Sequence, residues 1–503
     1  MIWNSDAVAE GLGVVSSAHA QTLFDLKTLL DSYHGVSRPT EYYDLVAGDW
    51  LMHFTHVAYA AYLDVIRGTP ISPRQAPIFV FADHNDYRAS VETPLLSEQL
   101  CQLITRMLNR SSCGDIQFMH QTRSVGIRQL GLGQRLKQGI KGCFSALGAE
   151  DASFVICRPY LKCSRSEWGA TLWKWRKWAR LDDFDYPIEV TVRVDTDWRR
   201  KHSAGVLVSN FSDMVRALLP LYVPVIYLEA LADYRQKAHA LNLLRPKALY
   251  TANSLHGHTL FKILAADWRE EGTKLINHQH GGGYGIDRIH AIEEYETRVA
   301  DRFYTLGWEG ASPKQVPLAG ALSSSQFHAA QENNRILLNC ISFPKQAYRI
   351  HFHPMPGTIE TMIAETVDFV GKMKYSPELL ARPYSSDYGW GMVDAMRQVK
   401  PDLCLDDRRT PALKSYARSS LVVHNYLGTS WLETLAMNIP TVCFYDTNTY
   451  AFRDAAQPFI DDLAAVGILH QSGAEAARFI MNVKTDLKGG GKDPKCRRRV
   501  KHL

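Results

Sequence analysis

Two histidines, a glutamine and three glycines run together in Asn277-His278-Gln279-His280-Gly281-Gly282-Gly283-Tyr284-Gly285, directly after the apolar residues Leu275 and Ile276. A backbone without Cβ atoms can turn sharply and present its N–H groups to an anion or a sugar hydroxyl. His278, His280 and Tyr284 add donors, and an imidazole can carry a proton near neutral pH. A tight turn with structural histidines would use the same residues. Their place at the carboxyl end of a strand, ahead of a helix, tips the reading toward a ligand contacted by Gln279, His280, Gly281, Gly282, Gly283 and Tyr284. No GxGxxG spacing is present, which argues against NAD.

A second group lies in "HNYLGTSWLETLAMNIPTV". A buried strand ends at Tyr426, Gly428 permits the turn, and Thr429 and Ser430 stand where a helix begins. Hydroxyls and N–H groups at a helix start suit a phosphate or carboxylate. Thr429 or Ser430 as a plain N-cap is the competing reading, and Glu433, three residues after Ser430, has the spacing of a capping box. Both readings can hold together. In "ARPYSSDYGW", Arg382 leaves a strand where a guanidinium could grip a phosphate, and Tyr388 could shape a nucleotide pocket. "AYRIHFHPMPG" offers Arg349 and His353-Pro354. Among carboxylates, Glu229 closes the apolar run "VPVIYLE", and Asp83 and Asp86 follow "IFVFA"; each is placed to act as a base or equally as a cap. Asn253, next to last in the run "KALYTANS", joins the sugar-binding candidates. No HExxH, P-loop or GxSxG stretch appears, and no DxD stretch has a plausible setting, so no metal ligand set and no cofactor is expected.

The elements that must position these residues follow from periodicity. Helices are expected over 20–68, with a break at Gly48, and over "LLSEQLCQLITRMLNR". "APIFVFADHNDY" and "VPVIYLE" read as strands. From residue 206, strands and helices alternate with short loops, pause near 320–334, and resume to the end of "PTVCFYD". That pattern implies parallel sheets covered on both faces, in two Rossmann-like domains facing a cleft. The expected division is 1–325, with a helical start, a basic and Trp-rich insert at 120–205 and a Rossmann-like part at 206–325; then 326–475; then a basic flexible tail at 476–503.

At 503 residues two or three domains are expected, and 46% hydrophobic with 22% charged residues is ordinary for a globular chain. A net charge of +5 does not make a nucleic-acid protein. No apolar run reaches membrane-spanning length, and no signal peptide opens the chain. Nine scattered cysteines without a CxxC pair fit a reducing cytoplasm. Trp168, Trp173, Trp175 and Trp178, interleaved with Lys174, Arg176, Lys177 and Arg180, could dock on anionic membrane together with Arg123, Arg128, Arg135, Lys137 and Lys141; a helix with its tryptophans on the core is the even alternative.

Several segments resemble one family: transferases encoded in bacterial surface-polysaccharide, capsule and lipopolysaccharide clusters. The resemblance rests on "EYYDLVAGDWLMHF", on "NHQHGGGYG" with "EEYETRVADRFYTLGW", and on "RPYSSDYGW" with "GTSWLETLAMNIPTV". It implies a GT-B-like glycosyltransferase on the cytoplasmic face of the inner membrane, and the lack of a DxD stretch in a plausible setting sets the expectation that it is metal-independent. Its partners would be a nucleotide-sugar donor and a lipid-linked or oligosaccharide acceptor. The late segments also resemble transferases of CMP-activated sialic acid or Kdo, with Thr429-Ser430 matching one element. Arg382-Pro383 stands where His-Pro would be expected, and His353-Pro354 comes about 30 residues earlier. Against the resemblance, the family's usual first segment and a closing helix find no counterpart, which sets the expectation of an incomplete chain. The implied roles are donor binding by Arg382, Tyr388, Gly428, Thr429, Ser430 and Glu433, acceptor binding by Asn253 and residues 279–284, and His280 or Glu229 as base. A CDP-polyol phosphotransferase and a non-catalytic scaffold of polysaccharide assembly are the alternatives.

Overall fold

The computed structural model describes residues 5–70, 77–91, 93–109, 116–126, 153–159, 179–318, 334–344, 358–448 and 450–488. The tryptophan tract, Arg349 and His353-Pro354 lie outside the described residues.

The chain opens with helices α1 (Ser5–His34) and α2 (Thr40–Ile66), followed by α3 (His84–Val91) and α4 (Pro94–Leu108). Helix α2 is apolar nearly all round, so it is a core helix rather than a surface one. It runs unbroken through Gly48, contrary to the expected break. A Cβ at Gly48 would overlap the Asp44 carboxylate and lie 3.1 Å from the Tyr295 ring, so this glycine lets another helix approach closely.

Two expected strands are corrected. Residues 77–83 make only an isolated bridge, Ile78 with Phe118. Residues 223–229 curl into turns, Tyr227 N–H donating to the Pro224 carbonyl at 2.9 Å and Leu228 N–H to Val225 at 3.2 Å. The two stretches touch through Val225 and Ile226 N–H groups on the carbonyls of Phe81 and Ala82. Both are buried apolar runs, and burial without a ladder partner does not make a strand.

Strands β1 (Thr122–Gly126) and β4 (Glu189–Arg193) form a separate antiparallel pair. Between them lie β2 (Phe154–Cys157) and β3 (Ala179–Leu181), which join β5 (Ala248–Thr251), β6 (Lys274–His278), β7 (Arg302–Thr305) and β8 (Gln315–Pro317) in one parallel sheet ordered β3-β2-β5-β6-β7-β8. Two strands of this sheet therefore come from the stretch read as a basic insert, and the Rossmann-like part begins near Phe154 rather than at 206. Helices α5 (Thr196–Ala204), α6 (Phe211–Tyr222), α7 (Leu231–His239), α8 (Thr259–Glu270) and α9 (Ala291–Val299) complete this half, which shares one apolar core with α1 to α4.

The second half runs β9 (Ile336–Asn339), α10 (Ile359–Lys372), β10 (Leu379–Arg382), α11 (Met392–Val399), β11 (Cys404–Leu405), α12 (Ala412–Ala417), β12 (Leu421–His424), α13 (Thr429–Ala436), β13 (Thr441–Phe444), α14 (Gln457–Ala465), β14 (Leu469–His470) and α15 (Gly473–Lys488). Its sheet is parallel with the order β11-β10-β9-β12-β13-β14. Counted from β9, that is the third-second-first-fourth-fifth-sixth order of dinucleotide-binding folds. The expected tail is corrected over 476–488: α15 puts Ala476, Ala477 and Ile480 into the core of this sheet. Two Rossmann-like sheets and a helical N-terminal region are the GT-B-like architecture expected.

Candidate functional site

In an open parallel sheet, ligands bind beyond the carboxyl ends of the strands where the order reverses. In the second sheet that point lies between β9 and β12. Asn339 and His424 end these strands in matched register, and Arg382 ends β10 beside them. Ser430, in the first turn of α13, closes the group: its Oγ lies 3.1 Å from His424 Nδ1 and accepts from Asn339 Nδ2 at 3.2 Å. Burial drives the His424 imidazole down to about 3, so it stands neutral and serves as a hydrogen-bonding post. Arg382 is held in place, with Nη1 3.0 Å from Asp406 Oδ2 and Nη2 donating to the Thr410 carbonyl at 3.1 Å.

The capping box is not formed. Gly428 occupies the N-cap of α13 without a side-chain cap, which puts Ser430 inside the helix and the nearly buried Glu433 one turn further along. Tyr388, at φ +55°, faces Tyr384 across 6.4 Å in the loop after β10.

The triple glycine sits where the two halves meet. Gly282 N–H donates to Thr429 Oγ1 at 2.9 Å, and a Cβ on Gly282 would run into the Gly428 carbonyl. Gly283, at φ +89°, would push a Cβ to 2.6 Å from Asp287 Oδ2. The close approach that requires Gly282 is thus to the backbone of the other sheet's helix start, while Gly283 is confined by Asp287 of its own loop. Behind it, Arg453 grips both oxygens of Glu293 at 2.9 and 2.8 Å, and Tyr450 donates to Asp287 Oδ1 at 2.8 Å. Both sheets therefore turn their carboxyl ends toward this seam.

Burial pushes the Asp287 carboxyl up from 3.8 to about 7. A raised carboxyl binds its proton more tightly folded than unfolded, so its contribution is present at low pH and declines as pH rises through about 7. Asp287→Asn is expected to flatten the fall in thermal midpoint across that window. An unchanged pH profile would mean that Asp287 is not the titrating group.

A cluster missed in the sequence lies beneath the glycine turn. Glu296, on α9, is fully buried, with its Oε1 2.6 Å from His256 Nε2 and 3.4 Å from His280 Nδ1. Tyr284 donates to Glu296 Oε2 at 3.0 Å. Burial holds the Glu296 carboxyl well above, and the His256 imidazole well below, their ordinary ranges. His256, His280 and Glu296 form the group of metal-ligand types found among the described residues, with ligand atoms within 4.8 Å of one another. The 2.6 Å approach of imidazole to carboxylate is that of a hydrogen bond.

A second buried pair braces the same region. Lys262 Nζ lies 2.5 Å from Asp49 Oδ1, both side chains wholly inaccessible, and Asp49 Oδ2 accepts the Gly257 N–H at 3.1 Å. The overlooked signal was a single charge on an otherwise apolar helix face, as in Asp49 and Lys262.

The remaining candidates sit apart or are already committed. Gln279 bonds the Gly281 carbonyl, the Leu306 N–H and the Trp308 indole, which makes it a brace for the turn. Asn253 is exposed in the loop after β5. Glu229 does not end a strand, and both its oxygens engage Arg199 at 2.8 Å with 3% of the carboxylate side chain exposed. A residue so paired is poorly placed to take a proton. Glu229→Gln is expected to destabilise the fold by about 3–5 kcal/mol by leaving Arg199 buried with a neutral partner. Ligand binding by the folded variant should be unchanged; a folded variant of normal stability that loses ligand binding would restore Glu229 as a site residue.

Among the described residues no helix is long and apolar enough to cross a membrane. Comparison with curated proteins gives no match. Among solved structures, MurG of Acinetobacter baumannii aligns over 54% of this chain and 72% of its own, at 13% identity and TM-score 0.31. Phytolacca americana UGT2, complexed with UDP-2fluoro-glucose and pterostilbene, aligns over 74% of this chain and 91% of its own, at 12% identity and TM-score 0.31. Alignments this loose add nothing to the fold argument, which rests on strand order and register. The family model described as LIC12162 family transferase matches residues 4–498, and the chain belongs to that family.

Proposed function

We propose that this transferase moves a sugar from a nucleotide-sugar donor to a growing bacterial surface glycan. The observation that carries the reading is the group Asn339, Arg382, His424 and Ser430 at the switch point of the second sheet, beside the uncapped start of α13. A donor phosphate there would meet first-turn N–H groups of α13 and the Ser430 hydroxyl, with Arg382 supplying positive charge. Tyr388 would flank the nucleoside. Thr429 spends its hydroxyl on the seam and would position the helix rather than the ligand.

Across the seam His280 is the proposed base. Glu296 would fix its ring, its Oε1 standing 3.4 Å from His280 Nδ1. In the transfer, an acceptor hydroxyl oxygen bonds to the anomeric carbon and gives its proton to His280. The anomeric carbon–oxygen bond to phosphate breaks, and the nucleotide leaves with that electron pair. A CMP-activated ulosonic acid is the donor class suggested by the family resemblance, and a lipid-linked or oligosaccharide acceptor at the inner membrane is the corresponding partner.

Thermal unfolding in the presence of CMP, CDP, UDP, GDP and TDP tests the donor site. One nucleotide should raise the midpoint in a concentration-dependent way, and Ser430→Ala or Arg382→Ala should remove the shift. A shift with CMP alone supports the ulosonic-acid donor; a shift with another nucleotide discards it and keeps the transferase. No shift with any of the five would sink the donor reading and leave a scaffold role.

A further inference from the structure

The first sheet has its own switch point, between β2 and β5, and a cavity of about 300 Å³ opens there. Its walls come from the loops after β2, β3 and β5 and from the start of α8. At one side Arg158 donates to Asp185 Oδ1 at 2.7 Å, and His258 Nε2 lies 3.6 Å from the same oxygen without a hydrogen-bond partner. Asp83, Tyr186 and Thr259 face them, and His256 closes the end nearest Glu296.

This cavity is held in shape from outside. His258 accepts the Phe261 N–H at the head of α8, and Gly257 is pinned between the Asp49 carboxylate and Asn85, whose Nδ2 donates to the Gly257 carbonyl at 3.4 Å. Gly257 has φ +74°, and a Cβ would lie 3.0 Å from Asn85 Oδ1. Arg158 and Phe184, neither of them glycine, also hold positive φ, at 40° and 54°. Left-handed backbone at bulky residues is strained and gathers at ligand sites.

The chemistry of the walls selects the ligand. Two carboxylates, Asp83 and Asp185, stand against one guanidinium that is already paired, so a phosphate would meet net repulsion. Carboxylates, imidazole and phenol are good partners for hydroxyl groups, and Phe184, Tyr186 and Tyr234 offer ring faces. The volume lies at the low end of small-molecule pockets, about 300–1,000 Å³, which favours one sugar ring over a nucleotide-sugar. We infer that this cavity binds the terminal, uncharged sugar of the acceptor, through hydroxyl contacts to Asp83 and Asp185. The inference rests on the transferase reading. It places the acceptor sugar one residue, His256, away from the Glu296–His280 pair.

Saturation-transfer NMR on the full chain tests this with the methyl glycosides of glucose, galactose, N-acetylglucosamine and rhamnose. At least one glycoside should receive saturation. Asp185→Ala and the cavity-filling Thr259→Trp should each reduce it about fivefold or more, with melting curves confirming that both variants fold. Nucleotide-induced thermal shifts should persist in both. Absence of transfer to every glycoside, transfer that survives both variants, or displacement of the glycoside by inorganic phosphate would each overturn the inference. Glycoside binding lost in the variants, in a chain that no nucleotide stabilises, would instead remove the donor reading and leave the cavity as a saccharide site.

Discussion

Lys262→Met is expected to cost the first domain about 3–5 kcal/mol, because it leaves Asp49 charged, inaccessible and without its cation. Both partners of this pair have no exposed side-chain surface, and Nζ also lies 3.2 Å from Tyr227 Oη. Burial opposes the charge on Asp49, and the Lys262 ammonium outweighs it, so the carboxyl is held below its ordinary range. The imidazole of His84, itself buried, is driven down to about 3 and cannot replace the lost cation near neutral pH. Urea unfolding followed by tryptophan fluorescence would read the loss as a lower midpoint. The double variant Asp49→Asn with Lys262→Met should recover much of it, since two neutral groups carry no uncompensated charge. A single variant with an unshifted midpoint would mean the pair is not sealed from water.

The second large effect is expected at Gly282. Gly282→Val would drive its Cβ into the Gly428 carbonyl and toward Thr429 Cα, 3.0 Å away, and both obstacles are backbone. The seam must then open, breaking the Gly282 N–H bond to Thr429 and separating the two sites that the proposed reaction needs together. A misplacement of about 1 Å between reacting groups can cost on the order of 100-fold in rate. Small-angle scattering should show a larger radius of gyration, and turnover should fall by about that factor. Unchanged scattering with unchanged turnover would show that the glycine is not needed for close approach. Ser430→Ala, by contrast, should weaken nucleotide binding without altering the scattering.

These contrasts show where a linear reading works and where it stops. The alternation after residue 206 announced both parallel sheets, because a strand buried on both faces is a short apolar run and its helix has a 3.6-residue stripe. The same rule misled at 223–229, where an equally apolar run found no ladder and coiled into turns. Strands β2 and β3 were hidden inside a basic stretch, since short strands with few residues on either face leave little periodicity. The Gly281–Gly283 turn was read as a place where the backbone closes on a ligand, but at Gly282 it closes on protein. What approaches is Gly428 and Thr429, from about 147 positions further along the chain, and no local pattern encodes that distance. The buried Glu296, with His256 and His280, joins residues from a loop, a turn and a helix, so only folding makes it a unit.

Helix α2 carries a further consequence for how the protein is made. Nearly its whole surface is covered in the finished fold, and its buried carboxylates Asp44 and Asp49 take their cations, Arg298 and Lys262, from α9 and α8. Those helices are synthesised long after it. While translation continues, an apolar rod with two unmatched charges waits outside the ribosome without its neighbours, the kind of exposure that recruits chaperones and seeds aggregation. The first domain therefore completes itself only when its last helices arrive, and a fragment ending before α8 would release that rod with nothing to cover it.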